Sequence, residues 1–401
     1  MEKENSKPLS SPVFYLLLSL IFIRPFISGL AYPAFETYYE NFIISIAFVV
    51  LLFSVQQLRE SKINTHILPI LLLLVSYIIS TITSIDIHNS IKETLKLLSY
   101  ISVFFIVSRT DDRQKTILIK TMVVTASIIS LYSIYQYFFG YQHTINYIRR
   151  TDRELLSISS YTRDILLSKR AIGTFPSPNI LGGYLLMIFF LSLTITKDKI
   201  SNKKWLISSF LIAVAMALTK SMGTWLSLIL TLIVLIVISY DRLKKQKWLI
   251  AISSIFIFLI LLFIVLKRWE YLINLENPEN SITQRLNYWR TAIGIIKDHP
   301  FLGVGPGNFQ EVFLKYKIAL STNTRYAHNI FLHIWSEAGV LGFAGISFLI
   351  FSLFQKGFRK NGQKFILLAI IAFSLHNQID NTYFISEAGL FWWILMGLVF
   401  F

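Results

Sequence analysis

ILPILLLLVSYIISTIT, residues Ile67–Thr83, and WLIAISSIFIFLILLFIVL, residues Trp248–Leu266, decide the class of fold. Neither run carries a charge, and each can cross a hydrocarbon core of about 30 Å as a helix. The remaining sequence behaves alike. Of 401 residues 54% are hydrophobic and 15% charged, against about 25% charged in an ordinary soluble domain. Helix stops at charge clusters and at Pro or Gly divide the chain into about twelve apolar spans. Their cores are 13–30, 39–56, 67–83, 93–108, 116–139, 176–196, 205–219, 222–239, 248–266, 328–354, 364–378 and 383–401. The expected fold is therefore an all-α integral membrane protein, residues 1–401 forming one polytopic domain.

The first span, Val13–Leu30, lacks a small-residue cleavage pattern and contains Arg24 and Pro25, so it reads as a retained helix. Without cysteine, the chain can form neither a disulfide nor a thiolate metal site. Its net charge of +16 sits in loops, which excludes a nucleic-acid binder. Nineteen Lys and Arg residues fall in the N-terminal tail and in alternate loops, while the intervening short loops hold only Lys220. By the positive-inside rule both termini are cytoplasmic.

Two outer segments are long and basic: a smaller loop, 140–175, and a larger one, 267–327, between the ninth and tenth spans. Long loops escape the charge rule, and cations gathered at the outer rim of a helical bundle suit an anionic partner at headgroup level. In the larger loop Ser281-Ile-Thr-Gln284 reads as a capping box. Ile282, Leu286, Trp289, Ile293 and Ile296 then form an apolar stripe, and Pro300 stops the helix. Arg285, at the edge of that stripe, needs an anionic partner. The run Gly303-Val-Gly-Pro-Gly-Asn308 reads as a helix-to-helix turn, with Asn308 capping a second helix that bears Phe309, Val312, Phe313 and Tyr316. In the smaller loop, Arg170 stands at the rim of a Pro-broken span entrance that is tolerated only beside a polar cavity.

These residues resemble the O-antigen ligase and polymerase superfamily, multispanning bacterial glycosyltransferases that use undecaprenyl-diphosphate-linked glycans. The resemblance rests on Arg285-x-x-x-Trp289, Asp298-His-Pro-Phe-Leu-Gly-Val-Gly-Pro-Gly-Asn308, Ala327-His328-Asn329 and Glu337-x-Gly339-x-x-Gly342. It extends to Arg170 with its Gly-Thr-Phe-x-x-Pro-Asn tail and to Ser221-x-Gly223. Met222 stands where the family often has Arg, which puts the donor-site cation set in doubt; Lys220 is an alternative carrier of that charge.

The resemblance implies metal-independent, inverting transfer of a glycan to an acceptor hydroxyl, with no cofactor and an active site facing the periplasm from the inner membrane. The acceptor is lipid A-core for a ligase or another lipid-linked glycan for a polymerase; the layout leans towards ligase. Arginine suits a diphosphate, because its planar fork binds phosphate oxygens bidentately and stays charged. Arg170 and Arg285 are the first candidates, Arg290 and Lys220 the second. Imidazole titrates near neutral pH, and the Ala-His-Asn motif marks His328 as the base over a merely capping histidine. Trp289, Asn329 and Asp380 complete the expected binding set. His376, Asn377 and Asp380 either orient the site or cap a helix. His333 and Glu337, at i and i+4, are expected to share a structural hydrogen bond, Arg24 to snorkel outward, and Glu36 and Glu40 to be ordinary loop charges. A transporter is the competing class, but the two halves show no inverted repeat, and the polar residues gather at one face instead of the midplane.

Overall fold

The computed structural model describes residues 9–27, 67–150, 160–195, 203–243, 280–318, 321–357 and 363–400, with isolated positions 262, 266, 274 and 277. The expected span 39–56, most of 248–266, the loop segments 151–159 and 267–273, and Glu36 and Glu40 lie outside them.

The described chain is helical and, among the described residues, has no strand. Helix α1, Ser11–Ile23, ends in a 3-10 turn at Arg24–Phe26. Then come α2, Leu68–Ile82; α3, Ile87–Ser108; α4, Asp112–Tyr135; α5, Tyr141–Arg150; and α6, Ser160–Ser168. They are followed by α7, Pro178–Ile195; α8, Lys203–Leu218; α9, Met222–Leu243; α10, Ser281–Asp298; and α11, Phe309–Tyr316. The last three are α12, Ile330–Gly357; α13, Lys364–His376; and α14, Ser386–Phe400. Among the described residues, four helical stretches are long and apolar enough to cross a membrane: Asp112–Arg150, Pro178–Ile195, Met222–Ser239 and Ile330–Ser352.

Burial follows position in the bundle. Helices α7, α13 and α14 are enclosed along nearly their whole described length, with Tyr184, Phe190, Phe373, Phe391, Trp392 and Trp393 at the centre. The flanking helices leave Leu71, Val75, Ile78 and Ile82 of α2, Val124, Ile128 and Leu131 of α4, and Leu206, Ile207 and Phe210 of α8 exposed. Bare aliphatic stripes of this extent are what lipid covers and water does not.

Several local expectations change. Helix α3 starts at 87 instead of 93 because the Asp86 carboxylate caps it, accepting from the N–H groups of His88 and Asn89 at 2.8 and 3.3 Å. The first part of the expected loop 140–175 stays helical: α4 passes through a π turn at Gln136–Gly140 straight into α5. Ser281 is not a cap. Asn280 caps α10, accepting from the Ile282 N–H at 2.9 Å, and Gln284 instead receives the N–H and hydroxyl of Thr322. Asn308 precedes α11 without capping it by its side chain; its amide donates to Asp86 O, Ser90 Oγ and Val304 O.

Helix α10 buries a largely polar face. Its buried residues are Gln284, Asn287, Tyr288, Thr291, Ala292 and Ile295, while Ile293 of the apolar stripe is exposed. The polar side meets the 321–328 segment, which offers hydrogen-bond partners, while Ile282, Leu286, Trp289 and Ile296 are half-buried.

Helix α12 is broken at Gly339, whose φ of +70° and ψ of −172° leave the carbonyls before it without helical partners. They are taken up locally. Ser76 and Ser80 of α2 donate to Ala338 O and Glu337 O at 2.5 and 2.6 Å. The glycine loop lies against the same break: Val304 N–H donates to Ser336 O, Gly305 N–H to Glu337 O, and Val340 N–H to Pro300 O. The Glu337 carboxylate returns the contact, accepting from the N–H groups of Gly307 and Phe309 at 2.9 and 3.0 Å, and so caps α11 from another helix.

Candidate functional site

A cavity of about 650 Å³ opens where the end of α3 bearing Lys92, the 164–180 segment, the 323–328 segment and the turn before α14 meet. Three of the residues singled out by sequence line it: Arg170, His328 and Asp380.

Arg170 is placed by the Pro-rich segment after α6. Gln136, in the π turn, accepts the N–H groups of Ile172 and Gly173 at 3.1 and 2.9 Å, and the Tyr141 hydroxyl donates to Arg170 O. Gly173 has φ +58°, and a Cβ there would stand 2.7 Å from Ser133 Oγ, so only glycine fits this bend. The guanidinium is held by Thr219 O at 3.0 Å and Asn179 Oδ1 at 2.8 Å.

Arg285 finds the anion it needs within the chain. Its Nε donates to Ile379 O at 2.6 Å, one terminal nitrogen donates to Ser281 O at 3.0 Å, and the other reaches Asp380 Oδ2 at 3.3 Å. Arg285 thus meets the cavity through Asp380, which is itself buried. Burial raises the Asp380 carboxyl, but the neighbouring His376 imidazole, the Arg285 charge and the Asn381 N–H outweigh it and hold the group below the usual carboxylate range.

His328 precedes α12 with φ +53°, stacked on the Tyr288 ring at 5.4 Å. The Trp289 indole donates to His328 O at 3.4 Å. Burial lowers the imidazole to about 4, only partly offset by the nearby Asp380, so the ring is neutral at pH 7. Its Nδ1 is buried with no hydrogen-bond partner among the described residues.

The other expected binding residues sit elsewhere. Asn329 caps α12, accepting from the N–H groups of Phe331 and Leu332 at 3.0 Å. Arg290 is exposed, away from the cavity lining. Lys220 donates to Ser168 O at 2.7 Å and lies over the Tyr137 ring, also off the cavity. His376 contacts the hydroxyls of Thr224 and Thr382 at 3.4 and 3.3 Å, and Asn377 accepts from Tyr383 N–H. His333 and Glu337 do pair, at 3.3 Å. Arg24 does not snorkel. It is fully buried and lies 3.6 Å from Glu387, because a cation facing the bundle is held better by a carboxylate than by distant headgroups.

The cavity also holds Arg325 of the larger basic loop and charges that sequence reasoning missed: Lys92, Glu93, Lys96 and Glu387. Glu93 pairs with Lys96 and lies 3.4 Å from Arg325, while Lys92 has no acidic partner among the described residues. Lys92-Glu93-x-x-Lys96 was a visible signal, three charges close together near the start of a helix. Glu387 was not, since only its burial beside Arg24 sets it apart.

Residues 207–347 match the family model described as O-Antigen ligase. That stretch is similar to the O-antigen ligase family. Arg285, the glycine loop, His328 and the Gly339 break fall within the O-antigen ligase match, while Arg170 and Asp380 lie outside it and join it only in space. No curated protein and no solved structure matches the chain.

Proposed function

We propose that this chain transfers a glycan from undecaprenyl diphosphate to an acceptor hydroxyl, with lipid A-core as the acceptor, in the cavity that Arg170, His328 and Asp380 share. That convergence carries the reading, because the three residues come from distant parts of the chain and supply the groups the reaction needs.

In this reading Arg170, with Lys92 and Arg325 on the same cavity, holds the diphosphate and neutralises charge as the anomeric C–O bond breaks. Preorganised donors at a developing anion contribute on the order of 3 kcal/mol each. His328, neutral at pH 7, accepts the acceptor's hydroxyl proton as the oxygen attacks the anomeric carbon from the face opposite the leaving group. Undecaprenyl diphosphate departs with the bonding electron pair, and the configuration inverts. The imidazolium is stabilised by Asp380, which Arg285 keeps ionised and in place. The dianionic donor itself favours protonation of His328, raising a ring that burial has pushed down. Protein cations carry the charge, so the reaction needs no metal ion.

The enzyme sits in the inner membrane with this cavity at the periplasmic end and both termini in the cytoplasm. The alternation of Lys- and Arg-rich loops along the sequence supports that orientation by the positive-inside rule.

Deleting the gene tests the acceptor. A ligase mutant accumulates finished polymer on undecaprenyl diphosphate. Accumulation of single lipid-linked repeats would instead make the chain a polymerase of the same superfamily.

A further inference from the structure

His328 holds a left-handed backbone, φ +53°, that side-chain-bearing residues seldom adopt and that persists only where neighbours fix it. One neighbour is histidine as well. Ala327 is fully buried, and its N–H donates to His333 Nδ1 at 3.4 Å. Because Nδ1 accepts, the ring proton of His333 lies on Nε2, which faces Glu337 Oε2 at 3.3 Å.

His333 is buried among the rings of Phe309, Tyr326 and Phe384, at 5.2, 5.4 and 4.3 Å. Tyr326 and Phe384 line the cavity, and His333 stands behind them. Glu337 in turn grips the glycine loop through the N–H groups of Gly307 and Phe309. A continuous series of polar contacts therefore runs from the glycine loop through Glu337 and His333 to the Tyr326–Ala327 peptide unit, one residue ahead of His328.

We propose that His333 is a positioning residue: its Nδ1 fixes the Ala327 N–H and so sets the left-handed backbone that presents the His328 ring to the cavity. This inference rests on the reading of His328 as the base.

The two halves of the imidazole can be replaced separately. In His333→Asn the amide oxygen stands near Nδ1 and keeps the bond from Ala327. In His333→Gln the amide nitrogen stands near Nε2 and keeps only the bond to Glu337. Both variants are assayed as purified full-length protein with an undecaprenyl-diphosphate-linked glycan and lipid A-core, beside amide exchange at Ala327. His333→Asn is expected to keep kcat within about 3-fold, and His333→Gln to lose about 10–100-fold in kcat at unchanged donor KM, by analogy with partners that orient metal-ligating histidines. Ala327 exchange should stay slow in His333→Asn and quicken in His333→Gln.

The opposite order of activities, equal activities in the two variants, or slow Ala327 exchange in His333→Gln overturns the proposal. If His328→Ala retains full transfer, the base reading fails instead, and the Ala327 exchange still decides whether His333 fixes this backbone.

Discussion

Between pH 6.5 and 4 the state of His328 differs between the folded and unfolded chain. Unfolded, the ring takes a proton near its ordinary pKa of about 6.5; folded, burial delays that to about 4. The unfolded chain therefore binds more protons in this window, and His328 withdraws stability as pH falls through it. Thermal unfolding of the wild type should decline faster between pH 6.5 and 4 than that of His328→Gln; parallel curves would contradict the burial of a neutral ring. Arg285 and Asp380 should act as a unit. Arg285→Ala and Asp380→Asn each strand a partner, and the double variant should cost less stability than their sum by about 0.5–3 kcal/mol. Additive effects would mean the pair is not formed. Part of this was legible. The need of Arg285 for an anion follows from a cation beside an apolar stripe, but the identity of the anion does not, because Asp380 is 95 residues away in sequence. The depressed pKa of His328 was equally hidden, since it comes from the surfaces that enclose the ring.

At the scale of elements, the break in α12 holds the site together. A Cβ on Gly339 would stand 1.9 Å from Phe301 O, and the φ of +70° is strained for any other residue. Gly339→Ala should lower stability by on the order of 3 kcal/mol or more and separate the glycine loop from the helix. An unchanged melting temperature in detergent would show that the break is not needed. Periodicity located α10, α11 and α12 but misjudged their contacts. The stripe Ile282, Leu286, Trp289, Ile293, Ile296 is half-buried apart from the exposed Ile293, whereas the neighbouring polar face finds its partners inside. The glycine run was read as a turn. It is a turn, yet its backbone also repairs α12 some thirty residues later, a pairing that no local pattern announces.

For the whole molecule, hydropathy and loop charge made the membrane class legible, because both act along the chain without reference to its fold. The cavity was legible only as separate residues, since Arg170, His328 and Asp380 meet solely through packing of α7, α12, α13 and α14. The chain has no cysteine, so single cysteines can be labelled without background. A cysteine replacing Asn323 should react with an impermeant maleimide in intact spheroplasts, and one replacing Lys115 only after permeabilisation; the reverse would invert the topology. The most direct test of the account is transfer by the purified full-length protein from undecaprenyl-diphosphate-linked glycan to lipid A-core, followed by mass spectrometry with and without chelator. The account predicts transfer by the wild type that chelator leaves unchanged and that Arg170→Ala and His328→Ala each reduce at least about 100-fold. Undiminished transfer by both variants would contradict it.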